Sequence, residues 1–236
     1  MQKLSEMDCS FIQQETPRTP MHISPVLIYD QSHRQDHPVR FKEILSTFER
    51  NLHKSSIFRR KLAGGAFGLD TPYWVEDPDF DLEFHIRHIA LPQPGDWRQF
   101  CIQLARLHAR GLDMRRPLWE AYVIEGLNKV EGLPEHSFAI LLKVHHSAID
   151  GVSGAEIVTA IHSLTNELET SAVVDSWQGE SDPTPWQIWT QASLNTLKRP
   201  ATFVDKVQQL VPAVIRANRE SARPDAPPRP PMLRCR

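Results

Sequence analysis

The stretch that most restricts the fold runs from Phe138 to Gly151 and reads Phe-Ala-Ile-Leu-Leu-Lys-Val-His-His-Ser-Ala-Ile-Asp-Gly. Its unbroken apolar start, Phe138-Ala139-Ile140-Leu141-Leu142, predicts a buried strand. Val152-Ser153-Gly154-Ala155-Glu156-Ile157-Val158 follows and predicts the first turns of a helix. His145 and His146 therefore stand on a strand-to-helix loop, where a rigid scaffold presents side chains to a substrate. Imidazole titrates near neutral pH, so it can take a proton from a hydroxyl and return it to a leaving group. Adjacent side chains on a strand point to opposite faces. One histidine should face a cleft while the other packs or hydrogen-bonds behind it. Asp150 either holds the turn through its own backbone or pairs with an Arg or Lys, and Gly151 permits positive φ or close chain approach. Adjacent histidines on a strand do not converge on one ion, so no metal is expected at this loop.

Taken in order, the chain predicts a mixed architecture. Leu4, Met7, Phe11 and Ile12 mark a short helical start, broken by Pro17 and Pro20. His22 to Tyr29 reads as a strand near an edge because it contains Pro25. Phe41, Ile44, Leu45, Phe48 and Leu52 recur at helical spacing. A glycine-bearing turn follows at Gly64 and Gly65, and Phe67 to Val75 suits a hairpin with Trp74 packed inward. Leu82 to Leu91 alternates like a strand. Trp97, Phe100, Cys101, Leu104 and Leu107 mark a second helix ending near Gly111. Leu118 to Leu127 and Ser137 to His146 read as two further strands, and Val152, Ala155, Ile161 and Leu164 give a helix after the histidines. The sum is α+β, an α/β layer sandwich with a mixed sheet and helices on one side.

Composition bounds the remaining possibilities. The 236 residues are 40% hydrophobic and 24% charged, with a net charge of −2, so nothing drives the chain generally toward nucleic acid. Cys9, Cys101 and Cys235 are scattered, which argues against a disulfide framework or a zinc site and favours a reducing cytoplasm. The opening is polar, without a signal peptide, and no apolar run spans a bilayer, so any membrane contact is expected to be peripheral. The organisation reads as one lobe over 1–170, a linker and helices over 171–222, and a Pro-rich, extended tail over 223–236. Basic residues beside the apolar positions of Trp186 to Ile215 suit either packing on protein or an anionic lipid surface.

His145-His146-Ser147-Ala148-Ile149-Asp150-Gly151 resembles the HHxxxDG signature of the CoA-dependent acyltransferase superfamily. Four more stretches make the chain similar to the N-terminal half of the bacterial wax ester synthase/diacylglycerol acyltransferase family. They are Leu4-Ser5-Glu6-Met7-Asp8, Pro20-Met21-His22-Ile23, Arg87-His88-Ile89-Ala90-Leu91-Pro92 with Pro94-Gly95, and Arg116-Pro117-Leu118-Trp119. Condensation domains that use carrier-protein thioesters share HHxxxDG but not Arg116-Pro117-Leu118-Trp119 or Pro20-Met21-His22-Ile23. The resemblance runs from Leu4 to about Thr165.

It implies a chloramphenicol acetyltransferase-like lobe whose second lobe is missing. It also implies O-acyl transfer from acyl-CoA, a co-substrate rather than a cofactor, to a long-chain alcohol or diacylglycerol, giving wax ester or triacylglycerol. His146 would be the base, His145, Asp150 and Gly151 would complete its motif, and Pro117-Leu118-Trp119 would lie near the substrate channel. The inferred site is the cytoplasm, with peripheral contact to the inner membrane or lipid inclusions. Because family members carry two lobes, the competing expectation is an inactive or partner-dependent half that binds lipid or CoA, or pairs with a C-terminal lobe in trans.

Overall fold

A computed structural model describes residues 1–32, 38–64, 72–149 and 153–162, with 177, 184, 186, 187 and 190 singly. Two compact units divide the chain, Met1–Thr184 and Pro185–Arg236, and the fold described is that of the first. Asp150, Gly151, Gly65 and the tail over 223–236 lie outside the described residues, as does most of 171–222.

The apolar run forms the centre of the molecule. It is strand β8, Phe138–His145, and all eight of its residues are buried. Strand β7, Trp119–Glu125, pairs with it antiparallel on one side. On the other side lie β2, His22–Ile23, and β3, Val26–Tyr29, also antiparallel. Ser24 and Pro25 interrupt what the sequence presents as one strand, because proline cannot donate to the ladder. The Pro25 carbonyl still accepts the Leu142 N–H at 3.0 Å. Strand β6, Ile86–Ala90, pairs with β7 in parallel and forms the opposite edge of the five-stranded sheet. Parallel neighbours need a crossover, and helix α4, Trp97–His108, supplies it. A second sheet of three strands combines β1, Gln2–Lys3, with β5, Tyr73–Glu76, and β4, Arg60–Ala63.

The large sheet carries helices on both faces, not on one. Period-two alternation divides β7 and β8 between two apolar layers. Trp119, Ala121, Val123, Phe138, Ile140, Leu142 and Val144 face helix α2, Phe41–Asn51, and helix α5, Ser153–Ala160. Tyr122, Ile124, Ala139 and Leu141 face Phe100 and Leu107 of α4. Every residue between Trp119 and Ile124 is buried, so a one-sided reading of the helices fails for that strand.

Two local readings also change. Leu82–His85 is a helical turn, α3, because the Asp81 carboxylate caps the Glu83 and Phe84 N–H groups. The strand starts only at Ile86. In β5 the inward residues are Tyr73 and Val75, while Trp74 is half-buried, and the hairpin partner of β5 is β4. Helix α1 spans Glu6–Gln14 and is capped by Ser5, whose hydroxyl accepts the Asp8 N–H at 3.1 Å.

Gly95 and Gly126 test this packing. Gly95 has φ +73, and a Cβ there would sit 2.2 Å from the Gly126 carbonyl oxygen. Gly132 has φ +85 with nothing within 4 Å of the same position. Gly132→Ala should cost about 1–2 kcal/mol, the conformational penalty alone. Gly95→Ala should cost about 3 kcal/mol or more, since steric overlap adds to it. Urea midpoints of the two variants read the difference directly.

Candidate active site

The β8 ladder ends between the two histidines, and that gives them different surroundings. The His145 N–H donates to the Leu118 carbonyl at 3.0 Å, on the β7 side. The His146 N–H donates to the Met21 carbonyl at 2.8 Å, on the β2 side. From His146 to Ala148 the chain turns into a short 3-10 segment.

The His145 side chain is fully enclosed. The Ser147 N–H donates to its Nδ1 at 3.1 Å, and the Ser147 hydroxyl lies 2.7 Å from the same nitrogen. An atom that accepts from a backbone N–H holds its lone pair there, so the proton of the neutral ring resides on Nε2. That Nε2 faces the Glu15 carboxylate, 3.5 Å from Oε2, an electrostatic contact longer than a hydrogen bond. Burial lowers the His145 pKa, and the Glu15 charge opposes the shift. His145 is thus neutral, fixed in one tautomer and shut off from solvent. It is poorly placed to exchange protons with a substrate.

His146 is exposed, and among the described residues no hydrogen bond reaches its ring nitrogens. Its ring stacks on Phe11 of α1, centroid to centroid 4.6 Å and 14° from parallel. The stack limits rotation of the imidazole while leaving both nitrogens available.

Glu15, at the end of α1, also accepts the Met21 N–H, which ties α1 to the start of β2. His22 is paired in register with His145 and sends its Nε2–H to the His108 carbonyl at 2.7 Å. Deeper on the same face, Lys143 is wholly buried. It donates to the Arg110 carbonyl at 2.6 Å and lies 3.7 Å from the Glu120 carboxylate, which also accepts the Tyr122 hydroxyl at 2.6 Å. Burial lowers the Lys143 pKa; Glu120 opposes this, and the Arg110 and Arg87 charges reinforce it. His22, His145, Lys143, Glu120 and Tyr122 form a polar layer beneath the loop.

Pro117, Leu118 and Trp119 are all buried. Leu118 supplies the carbonyl that receives His145. Trp119 is a core side chain, stacked on His85 at 4.7 Å with its indole N–H donating to the Phe58 carbonyl at 2.9 Å. Asp150 and Gly151 lie outside the described residues. Sequence reasoning placed His22 in a family-like stretch without a role and gave no role to Phe11, Glu15 or Ser147. Only the pairing of β2 with β8 and the docking of α1 bring these groups together. Among the described residues no cluster has the make-up of a metal site.

Comparison with known proteins decides the family. Residues 4–234 match the family described as "Wax ester synthase/diacylglycerol acyltransferase catalytic domain". The chain belongs to that family. The match reaches well past Thr165, where the sequence resemblance was expected to fade. A Mycobacterium tuberculosis relative named "Probable diacyglycerol O-acyltransferase tgs3" is 34% identical over 213 residues, 90% of this chain and 75% of that protein. The Acinetobacter baylyi protein "O-acyltransferase WSD" is 30% identical over 75% of this chain and 35% of its own length. A solved wax ester synthase/diacylglycerol acyltransferase from Marinobacter aquaeolei VT8 superposes with a TM-score of 0.54 and 31% identity, covering 66% of this chain and 37% of that one. The first condensation domain of the calcium-dependent antibiotic synthetase shares the fold, with a TM-score of 0.52 at 16% identity. The family lobe is thus the chloramphenicol acetyltransferase-like one, and this chain spans well under half of the Acinetobacter and Marinobacter proteins.

Burial holds His22, His85 and His145 below their ordinary pKa of 6.5. The unfolded chain therefore takes up protons first as pH falls, and stability declines once pH drops below about 6.5. Urea midpoints at pH 7.5 and 5.5 should show the loss. His85→Phe, which removes one of these buried groups, should flatten the slope.

Proposed function

We propose that this lobe carries the general base of an O-acyltransferase that moves a fatty acyl group from acyl-CoA to a long-chain alcohol or diacylglycerol. The observation that carries this reading is the contrast within the histidine pair: His145 is locked and buried, and His146 is exposed, with ring nitrogens that no hydrogen bond reaches among the described residues. His146 takes the proton of the acceptor hydroxyl as the oxygen attacks the thioester carbonyl. The tetrahedral intermediate then collapses, the carbon–sulfur bond breaks, and the imidazolium protonates the departing CoA thiolate. The products are wax ester or triacylglycerol and free CoA.

His145 contributes through position. Its bonds to Ser147 and Leu118 fix the loop from which His146 projects. Pro117, Leu118 and Trp119 give a rigid floor beside the substrate channel, and Asp150 and Gly151 complete the sequence motif. Peripheral attachment to a membrane or lipid inclusion suits water-insoluble acceptors, and no helix of the described residues is long and apolar enough to cross a bilayer.

A second reading is favoured by the partial coverage of longer relatives. In it the chain is inactive alone and works, or binds lipid and CoA, only with a separate C-terminal lobe.

CoA release from palmitoyl-CoA and hexadecanol by the purified chain tests the first reading. His146→Ala should lower the rate by at least about 100-fold. Equal release by the variant would remove His146 from the mechanism. Release from neither protein, restored by adding the C-terminal lobe of a relative, would establish the second reading. In an active preparation, Phe11→Ala should lower kcat about tenfold or more, because the imidazole loses its platform.

A further inference from the structure

A group of cations lies beside the sheet that carries His146, outside the proton-transfer machinery. Arg116 and Arg87 both hold the Phe84 ring, with guanidinium carbons 4.0 and 5.1 Å from its centroid. Arg87 also donates from Nε to the Phe84 carbonyl at 3.3 Å. Arg110 completes the group. Its carbonyl receives Lys143, and its charge, like that of Arg87, reaches Lys143 and Tyr122.

Among the described residues none of these three guanidiniums forms an ion pair with a carboxylate. Three nearby acids have partners of their own, although the Arg116 charge also reaches Asp113, and exposed Glu83 stands beside Phe84. Glu120 is held by Lys143 and Tyr122. Asp113 is held by Arg115 through two bonds of 3.1 Å. Glu125 faces His88 at 3.1 Å. In a chain of net charge −2, a corner with three unpaired arginines is a local excess that invites an anion.

Register fixes its distance from the base. Arg116 stands two residues before Leu118, whose carbonyl receives His145. Arg87 lies opposite Tyr122, which pairs with Leu141, so it stands two strands (about 10 Å) across the sheet and five residues (about 17 Å) back along β8 from His146. Guanidinium forks match phosphate oxygens in pairs, and stacking on an aromatic ring holds them ready at little entropic cost.

We propose that Arg87 and Arg116, with Arg110 beside them, seat the phosphates of the CoA moiety while its thioester reaches His146. This rests on the acyl-transfer reading for the identity of the ligand; the phosphate chemistry of the corner does not.

The test is calorimetric titration of the 236-residue chain at low salt with coenzyme A, dephospho-coenzyme A and pantetheine, beside the CoA-release assay. Affinity should fall in that order, and high salt should weaken coenzyme A most. Arg87→Gln and Arg116→Gln should each weaken coenzyme A about tenfold. Arg87→Lys and Arg116→Lys should lose less, since the charge remains, which a merely structural role would not produce.

Unchanged coenzyme A affinity in both Gln variants would overturn the seat. So would pantetheine binding as tightly as coenzyme A, or no binding of coenzyme A at all. Gln variants that lose phosphatidylserine vesicles but keep coenzyme A would reassign the corner to lipid headgroups and overturn it too. Arginine-dependent binding without CoA release would sink the transfer reading and leave the seat. His146-dependent release with arginine-independent binding would do the reverse.

Discussion

A one-residue slip of β8 against its neighbours would drive Lys143 and His145 into the apolar layer beneath α2. The correct register instead sets Lys143 opposite Glu120 and His145 opposite His22. An unpaired charge inside a protein is costly, and its partners must come from the adjacent strands at the right step. Glu120 and the Arg110 carbonyl meet that need for Lys143, while the neutral His145 is held at Nδ1 by Ser147 and turns Nε2 toward Glu15. The polar layer therefore acts as a registration device for the sheet, and the position of the histidine loop follows from it.

The difference between the two histidines is the chemical product of that registration. One residue is the last of the buried ladder and the next is the first outside it. Consecutive N–H groups point to opposite neighbours, Leu118 and Met21, so the backbone is held from both sides at the point where the chain turns. A loop fastened in this way can present His146 to a substrate without itself giving way. Helix α1 adds Phe11 against the exposed ring and Glu15 against the buried one, so a single short helix orients both.

The same sheet gathers the charges that a CoA thioester would meet. Arg116 belongs to the stretch that leads into β7, and Arg87 is stationed on the parallel edge strand. Both elements are fixed by the core packing of Trp119 and Ile86. In the proposed reading, proton transfer and anion attraction share one scaffold but use opposite sides of β8, which lets the two be altered separately.

Much of this was legible in the chain itself. The unbroken apolar run defined β8, helical spacing located α2 and α4, and the histidine pair with Asp150 and Gly151 pointed to the family. These are local signals, carried by residues a few positions apart. The α3 turn was hidden because Leu82, Phe84 and Ile86 alternate like a strand, and only the Asp81 cap resolves the competition. Tyr73 and Val75, not Trp74, face inward because pairing with β4 fixes the face. The placement of helices on both sides of the sheet, the approach of Glu15 to His145, and the stacking of Phe11 on His146 were decided by tertiary structure alone. Each joins residues far apart in sequence, and no local pattern encodes which distant strand or helix will supply the partner.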